Sequence, residues 1–562
     1  MSGKSLKLIQ RNVFPTWYHV EELASRVVAQ TGIPSDRFHL GKLILQSLKD
    51  DPDIVAQIDG ALDVSETNGS VLERSIRCAI ALKRLGVQKG DVMVLMAPNH
   101  LDLVIALYAA LYLGILVTAI DITLGIRELE GRLEILKPKI VFCQTDRSSD
   151  IETALNKLNS KTHIITFDRG NKFCCFTDFL QDEAADDIKI EDFKPTDFDP
   201  EETVAAMMST SGTTGQPKLA PLTHKNLALS VRQRLSPYNS PPPKLLLLFI
   251  SPIWWVTAVN SYVLSTIFRV TRLQSSAPRT MEHIRELINK YKPHSATLNP
   301  NVLTSLLTSQ GTKCDFSCFS TIVICGCYLP KSLSDAIKDL APNAVIVNIY
   351  GMSECGGVCM TWDVRDPITS ICSPNAIRCT TYGHLQYRLV DISTLEDIEE
   401  PNVIGELWLR GPSVFKGYYN NPESRKDTFS EDGWFRTGDI MKRDSNYNYF
   451  FVDRVKTLIN YRHKLVSPTE VEEVIRSHPG VYDVAVIGVP DEGYCDLPAA
   501  CVVPRTGYTL TEEEIKDLVK ENLDDHKQLR GGVVFMAELP TTATSKTDRR
   551  KLKEMLAEMK LE

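Results

Sequence analysis

One run of 18 uncharged, almost wholly apolar residues, Leu103 to Ile120 (LVIALYAALYLGILVTAI), lies between Asp102 and Asp121 and restricts the fold more than any other segment. A membrane span needs about 18 to 20 such residues, so the run sits at the lower limit. Gly114 divides it into a helical part, Leu103 to Leu113, and a β-rich part, Ile115 to Ile120, the pattern of a helix leading into a central strand of a parallel sheet. No Lys/Arg cluster or aromatic belt flanks it. A buried helix and strand is the expectation, with no transmembrane segment. The opening MSGKSLKLIQRNVFPTW has no apolar stretch of about 7 residues or more, so no secretory signal is expected there.

The same rhythm extends along the chain. From about Ser75 to Ser309, apolar runs such as VMVLMAP, KIVFCQ, HIITF and KLLLLFISP alternate with helical stretches, as βαβ units do around a mainly parallel sheet. Between Leu389 and Phe451 the runs shorten and Gly, Asn and Asp become frequent, which predicts antiparallel hairpins. After Lys456 the pattern predicts a helix over Thr469 to Ser477, opened by Ser467-Pro468, strands over Val484 to Val489 and Ala499 to Val503, and a charged helix over Thr511 to Leu523. The expected fold class is α/β. Residues 1–455 are read as a large body of parallel-sheet α/β subdomains with a β-rich subdomain at about 389–451, and 456–562 as a small mobile α+β domain.

Charge and cysteine usage exclude several functions. With 71 acidic and 63 basic side chains the net charge is −8, so a polyanion site must be a local patch and nucleic acid is not an expected partner. Fourteen cysteines in a chain of 562 residues are too sparse for a disulfide scaffold and predict reduced thiols. The spacings Cys314-x3-Cys318, Cys325-x-Cys327 and Cys355-x3-Cys359 lack the paired C-x2-C of zinc sites.

The most informative segment is Met208-Ser-Thr-Ser-Gly-Thr-Thr-Gly-Gln-Pro-Lys218. After a strand-like VAAMM it offers backbone N–H groups, hydroxyls and a cation, a set suited to phosphate oxygens. It is not a Walker A loop, because the Gly212 to Gly215 spacing is too short and a proline precedes the lysine. STSGTTGQPK resembles the phosphate-loop signature of the adenylate-forming superfamily of acyl-CoA synthetases, 4-coumarate–CoA ligases, insect luciferases and adenylation domains. Four further segments match that family in order: Tyr350-Gly-Met-Ser-Glu354, Gly433-Trp-Phe-Arg-Thr-Gly-Asp439, Asp453-Arg-Val-Lys456 and Leu539-Pro-Thr-Thr-Ala-Thr-Ser-Lys546. The C-terminal segments QLRGGVVF and PTEVEEVIRSHPGVYDVAVIGVPDE look most like the insect luciferase and luciferase-like acyl-CoA synthetase branch.

The resemblance implies a role for each matched residue. Ser211, Gly212, Thr213, Thr214, Gly215 and Lys218 hold phosphates. Tyr350 lies against adenine and meets the α-phosphate, Gly351 and Ser353 share its motif, and Glu354 helps hold Mg²⁺. Asp439 and Arg454 bind the ribose, Lys456 is the pivot between domains, and Lys546 bridges the reacting carboxylate and the α-phosphate. Cys325 and Gly326 are substrate residues, and Trp254 and Trp255 fall where relatives line the acyl pocket. The chemistry needs these cations. A carboxylate approaching a phosphate chain meets a repulsion of about 4 kcal/mol per pair of unit charges at about 4 Å and an effective dielectric near 20, and lysines with Mg²⁺ offset it.

The activity implied is an ATP-dependent acyl-CoA synthetase, using ATP, Mg²⁺ and CoA on a medium- or long-chain fatty acid or an aryl-propenoic acid. Adenylate-only or luciferase-type chemistry, and a ligand-binding homologue without turnover, are the alternatives. Four departures bear on this. Leu219 follows the loop lysine where relatives usually carry glycine; Cys327 to Leu329 replace a small run beside adenine; Ser545 replaces a glycine before Lys546; and Asn460 and His463 stand where relatives place a lysine and a glycine on the hairpin used for thioester formation. The partners expected are small molecules, with a monomer or weak oligomer. The chain ends Met-Lys-Leu-Glu without an S-K-L signal, so cytoplasm or peroxisome by another route are both expected locations.

Overall fold

The computed structural model describes residues 15–170, 172–181, 190–210, 218–232, 245–308, 313–361, 376–378, 385–462, 464–491, 495–542 and 546–559. The apolar run forms the helix Leu101–Leu113 and the strand Leu116–Ala119, joined at Gly114 with φ 69°. A side chain at Gly114 would meet the Phe198 ring at 2.8 Å, so both the left-handed turn and the close approach require glycine. The helix is buried on every face and touches strands of two different sheets, Val55–Asp59 and Leu116–Ala119. Complete burial explains its lack of a polar stripe. Its two tyrosine hydroxyls are satisfied, Tyr108 donating to Tyr262 O at 2.7 Å and Tyr112 lying 3.1 Å from Ser75 Oγ. Each large side chain buried this way contributes roughly 1.5–3 kcal/mol. Among the described residues no helix is long and apolar enough to cross a membrane.

The α/β class is borne out. One sheet has six parallel strands, in the order Val345–Met352, Thr321–Cys325, Ser295–Leu298, Leu246–Leu248, Thr271–Gln274 and Val55–Asp59, with Gly357–Thr361 and Val64–Thr67 antiparallel at its edges. The second carries Cys174–Cys175, His163–Thr166, Ile140–Cys143, Val92–Met96, Leu116–Ala119 and Val204–Thr210 in parallel and closes with the antiparallel strand Lys218–Thr223. The strands Val55–Asp59 and Val64–Thr67 precede the region where the pattern predicted βαβ units. Gln57 and Asp59 are buried there, so an apolar alternation does not mark them.

The β-rich part is a wholly antiparallel sheet of five strands, Ala376–Arg378, Asn448–Arg454, Phe435–Arg443, Ile404–Arg410 and Gln386–Val390. It begins before and ends after the expected 389–451. A fourth sheet follows it, built on a hairpin of Val481–Asp491 and Cys495–Pro504, each longer than the strand expected. Two helices pack on it: Ser467 Oγ accepts from Glu470 N ahead of Pro468–Arg476, at the Ser467-Pro468 opening expected, and Thr511, expected as the first residue of the second helix, is its N-cap and forms a reciprocal capping box with Glu514 ahead of Glu512–Asn522.

Candidate active site

The ends of these sheets enclose a cavity of about 760 Å³, to which the sequence-matched segments converge. The strands Val204–Thr210 and Lys218–Thr223 place Thr210 opposite Lys218, with Thr210 Oγ1 donating to Lys218 O at 3.2 Å. Ser211, Gly212, Thr213, Thr214 and Gly215 lie outside the described residues. Lys218 lines the cavity with its Nζ 4.8 Å from the centre of the Tyr418 ring. Leu219 after it is buried in the core behind the sheet, and its carbonyl accepts from Tyr419 N at 2.9 Å, so its bulk faces away from the loop side.

Glu354 follows the strand Val345–Met352 and also lines the cavity. Tyr418 donates its hydroxyl to Glu354 Oε1 at 2.7 Å, and Phe415 N donates to the Glu354 carbonyl at 2.7 Å. Burial, then Glu354, pushes the Tyr418 phenol far up, so it remains a donor. Gly351 and Ser353 are in the same wall, where a Cβ on Gly351 would meet Gly357 O at 2.2 Å. Magnesium takes one or two carboxylates and completes its shell with phosphate oxygens and water, and Glu354, whose carboxylate accepts from a single hydroxyl among the described residues, fits that requirement.

Three residues expected at the nucleotide are joined to one another. Tyr350 donates to Asp439 Oδ2 at 2.6 Å, and Arg454 Nε lies 2.9 Å from Asp439 Oδ1 across the register that pairs Asp439 with Arg454. Asp439 is buried at 2% exposure. Its charge holds the Arg454 guanidinium above its ordinary value, while burial and then Asp439 hold the Tyr350 phenol well above 10.

Cys325, Gly326 and Cys327 form another stretch of wall, with Gly326 at φ 92°. Burial raises the Cys327 thiol, and Lys546 and Arg454 oppose that shift. Tyr328 turns away and donates to Glu473 Oε1 at 2.9 Å on the helix Pro468–Arg476, while Leu329 is core. Trp254 and Trp255 also line the cavity, just ahead of the helix Val256–Ile267, and their indole N–H groups are buried without an acceptor among the described residues. Lys456 and Lys546 both reach the cavity, the latter from beyond the fourth sheet. Asn460, on the strand Ile459–Tyr461, does not line it, and its amide oxygen is buried without a donor among the described residues. His463 and Ser545 lie outside the described residues.

The wall holds residues to which motif reading gave no role, among them Tyr418, Arg436 and Glu406. Tyr418 sits in FKGYYN, whose pattern suggests only a hairpin, and nothing in spacing ties it to Glu354.

The AMP-binding enzyme family model matches residues 45–419, and its C-terminal domain model matches residues 470–546. The chain belongs to the AMP-binding enzyme family. This AMP-binding enzyme is 31% identical over 87% of its length to luciferin 4-monooxygenase of Photuris pensylvanica, covering 89% of that protein. It is 30% identical over 89% of its length to 4-coumarate–CoA ligase 2 of Solanum tuberosum, covering 90% of it. Its fold matches that of ATP-bound MatB from Rhodopseudomonas palustris with a TM-score of 0.81, at 24% identity, over 92% of this chain and 99% of that one. It is thus an adenylate-forming enzyme of the group that holds luciferases and 4-coumarate–CoA ligases.

Proposed function

We propose that this enzyme activates a carboxylic acid with ATP, forming an acyl-adenylate and pyrophosphate, and passes the acyl group to the thiol of CoA. The observation that carries the reading is convergence: Lys546 meets Lys218 and Glu354 in one cavity. Among the described residues the wall holds six basic ones (Lys218, Arg279, Arg436, Arg454, Lys456, Lys546) against three acidic ones (Glu354, Glu406, Asp427), in a chain whose net charge is −8. That excess suits a triphosphate and an attacking carboxylate.

In this reading Lys218 and residues 211–215 hold the phosphate tail, and Lys546 holds the carboxylate against the α-phosphate. Asp439 and Arg454 take the ribose once nucleotide displaces Tyr350 from Asp439. Glu354, oriented by Tyr418, holds Mg²⁺, which when bound supplies Lewis-acid stabilisation of phosphoryl charge. Cys325, Gly326, Trp254 and Trp255 border the substrate acid, a fatty or aryl-propenoic acid. Lys546 in the cavity and Asn460 outside it match the first half-reaction; residues 456–562 then turn about Lys456 for the second.

A carboxylate panel with ATP, Mg²⁺ and CoA, reading AMP and acyl-CoA separately, tests this. Acid-dependent pyrophosphate exchange with acyl-CoA formation is expected; exchange in the absence of acyl-CoA would favour adenylate-only or luciferase-type chemistry, the second reading raised by Asn460. No exchange with any acid would leave a binding protein without turnover. Lys546→Ala should abolish adenylation while sparing thioester formation from preformed acyl-adenylate; equal loss of both would contradict its role.

A further inference from the structure

The β-rich sheet carries a ladder of stacked cations and indoles that ends in the cavity. Arg410 lies 4.5 Å from the Trp434 ring centre, Arg388 lies 5.1 Å from Trp434 and 5.4 Å from Trp408, and Arg436 lies 4.9 Å from Trp408. Cross-strand pairing sets the order, since Arg388 is opposite Trp408 and Trp408 is opposite Arg436. Such stacking stabilises a sheet surface. Two of the three arginines are also committed to polar partners. Arg388 pairs with Asp397 at 2.6 Å and Asp432 at 3.1 Å, and Arg410 Nε donates to Gln386 Oε1 at 2.8 Å.

Arg436 differs. It is half-buried, it lines the cavity, and its Nε is buried without an acceptor among the described residues. Glu406 shares the wall, but its carboxylate is occupied by Trp408 Nε1 at 2.8 Å and Gly438 N at 2.9 Å. No ion pair within 4.0 Å joins Arg436 to Glu406, to Asp427 or to any other described carboxylate. A partly desolvated guanidinium left without an anion is costly, and its planar fork fits two oxygens of one phosphate.

We infer that Arg436 is a phosphate-binding residue, held by its stack on Trp408 to receive a phosphate group at the cavity wall. The inference rests on the adenylation reading for its ligand. Two sources carry that chemistry: the pyrophosphate end of the nucleotide, and the phosphates of CoA.

The test titrates the purified full-length protein with inorganic pyrophosphate and, separately, with CoA, by calorimetry and by tryptophan fluorescence, using wild type, Arg436→Gln, Arg436→Lys and the control Arg410→Gln. Arg436→Gln should weaken one ligand by about tenfold or more, and Arg436→Lys should restore part of the loss. Arg410→Gln removes a charge from the same ladder at a residue that does not line the cavity, and should change either constant by less than about threefold. The ligand affected names the source. Wild-type binding of either ligand should alter a fluorescence signal that Trp408→Phe removes. If Arg436→Gln leaves both dissociation constants within about twofold, or if wild type binds neither ligand, the inference is overturned. A drop in the unfolding midpoint alone would make Arg436 only the end of a structural ladder. These titrations need no turnover, so an enzyme inactive on every acid, with Arg436-dependent pyrophosphate binding, would refute the adenylation reading and leave the phosphate site standing.

Discussion

Glu354 owes its orientation to one hydroxyl, that of Tyr418, which also lies under Lys218. Hydrogen bonds to charged groups are worth about 1.5–3 kcal/mol. Tyr418→Phe keeps the ring beneath Lys218 and removes only that bond. It should lower kcat/KM for pyrophosphate exchange by about tenfold to a hundredfold with a small change in thermal midpoint; an unchanged rate would reduce Tyr418 to a packing role. Motif reading could find Glu354 because its neighbours form a recognisable string. Tyr418 was not legible, because its partner is 64 residues away in sequence and an ordinary loop brings the two together. Leu219 shows the converse. It reads as a departure beside the phosphate loop, and the strand pairing turns it into the core.

At the scale of elements, the joint after the β-rich sheet is organised by Asp453. This buried carboxylate accepts from Arg454 N at 2.7 Å, Ser467 Oγ at 2.8 Å, Thr469 N at 3.0 Å and the Thr457 hydroxyl. It therefore ties the strand Asn448–Arg454 to the N-terminus of the helix Pro468–Arg476, where a negative charge is favourable. Tyr328 holds the same helix from the other side through Glu473. Both contacts favour the arrangement with Lys546 in the cavity. Tyr328→Phe removes a partly exposed bond of about 0.5–1.5 kcal/mol and should raise the rate of thioester formation relative to adenylation by about twofold to tenfold. Single-turnover measurement of each half-reaction checks this, and a ratio equal to wild type would show that Tyr328 does not bias the arrangement. The opening of this helix at Ser467-Pro468 was legible because capping chemistry is local. Strand lengths and the two edge strands near residue 60 were not, because pairing with distant partners, rather than local pattern, decides them.

Two properties belong to the molecule as a whole. Three histidines are buried where the N-terminal helices meet the sheets. His39 Nε2 lies 3.1 Å from Thr196 O while its Nδ1 accepts from Lys42 N at 3.2 Å, which fixes the neutral form. His224 Nδ1 accepts from Leu40 N at 3.3 Å, and His100 Nδ1 accepts from Asp102 N at 3.3 Å. Burial lowers His39 and His100 from 6.5 to about 4 and His224 well below 6.5. Above pH 6.5 folded and unfolded chains are equally unprotonated and these groups contribute nothing to the pH dependence. Below it the unfolded chain takes up protons that the folded chain refuses, so stability should fall down to about pH 4, by roughly 1.4 kcal/mol per pH unit for each histidine. Denaturant midpoints that stay flat across that window would contradict this; His39→Gln should reduce the slope.

The second is the proposed coupling of the two half-reactions through Lys456. Val455 N and Thr457 N donate to Gly438 O and Arg454 O, and Lys456 between them donates no bond among the described residues. Proline at 456 therefore removes no hydrogen bond there, but its ring fixes φ and restricts Val455. If rotation about this joint exchanges Lys546 for the hairpin bearing Asn460, Lys456→Pro locks the present arrangement. Acid-dependent pyrophosphate exchange should survive within about threefold, whereas acyl-CoA formation, which needs the other face, should fall by about a hundredfold, the loss typical of a misplaced reacting group. Equal loss of both steps would mean that proline distorts the cavity itself, and loss of neither would place the pivot elsewhere in the segment between Arg454 and Ile459.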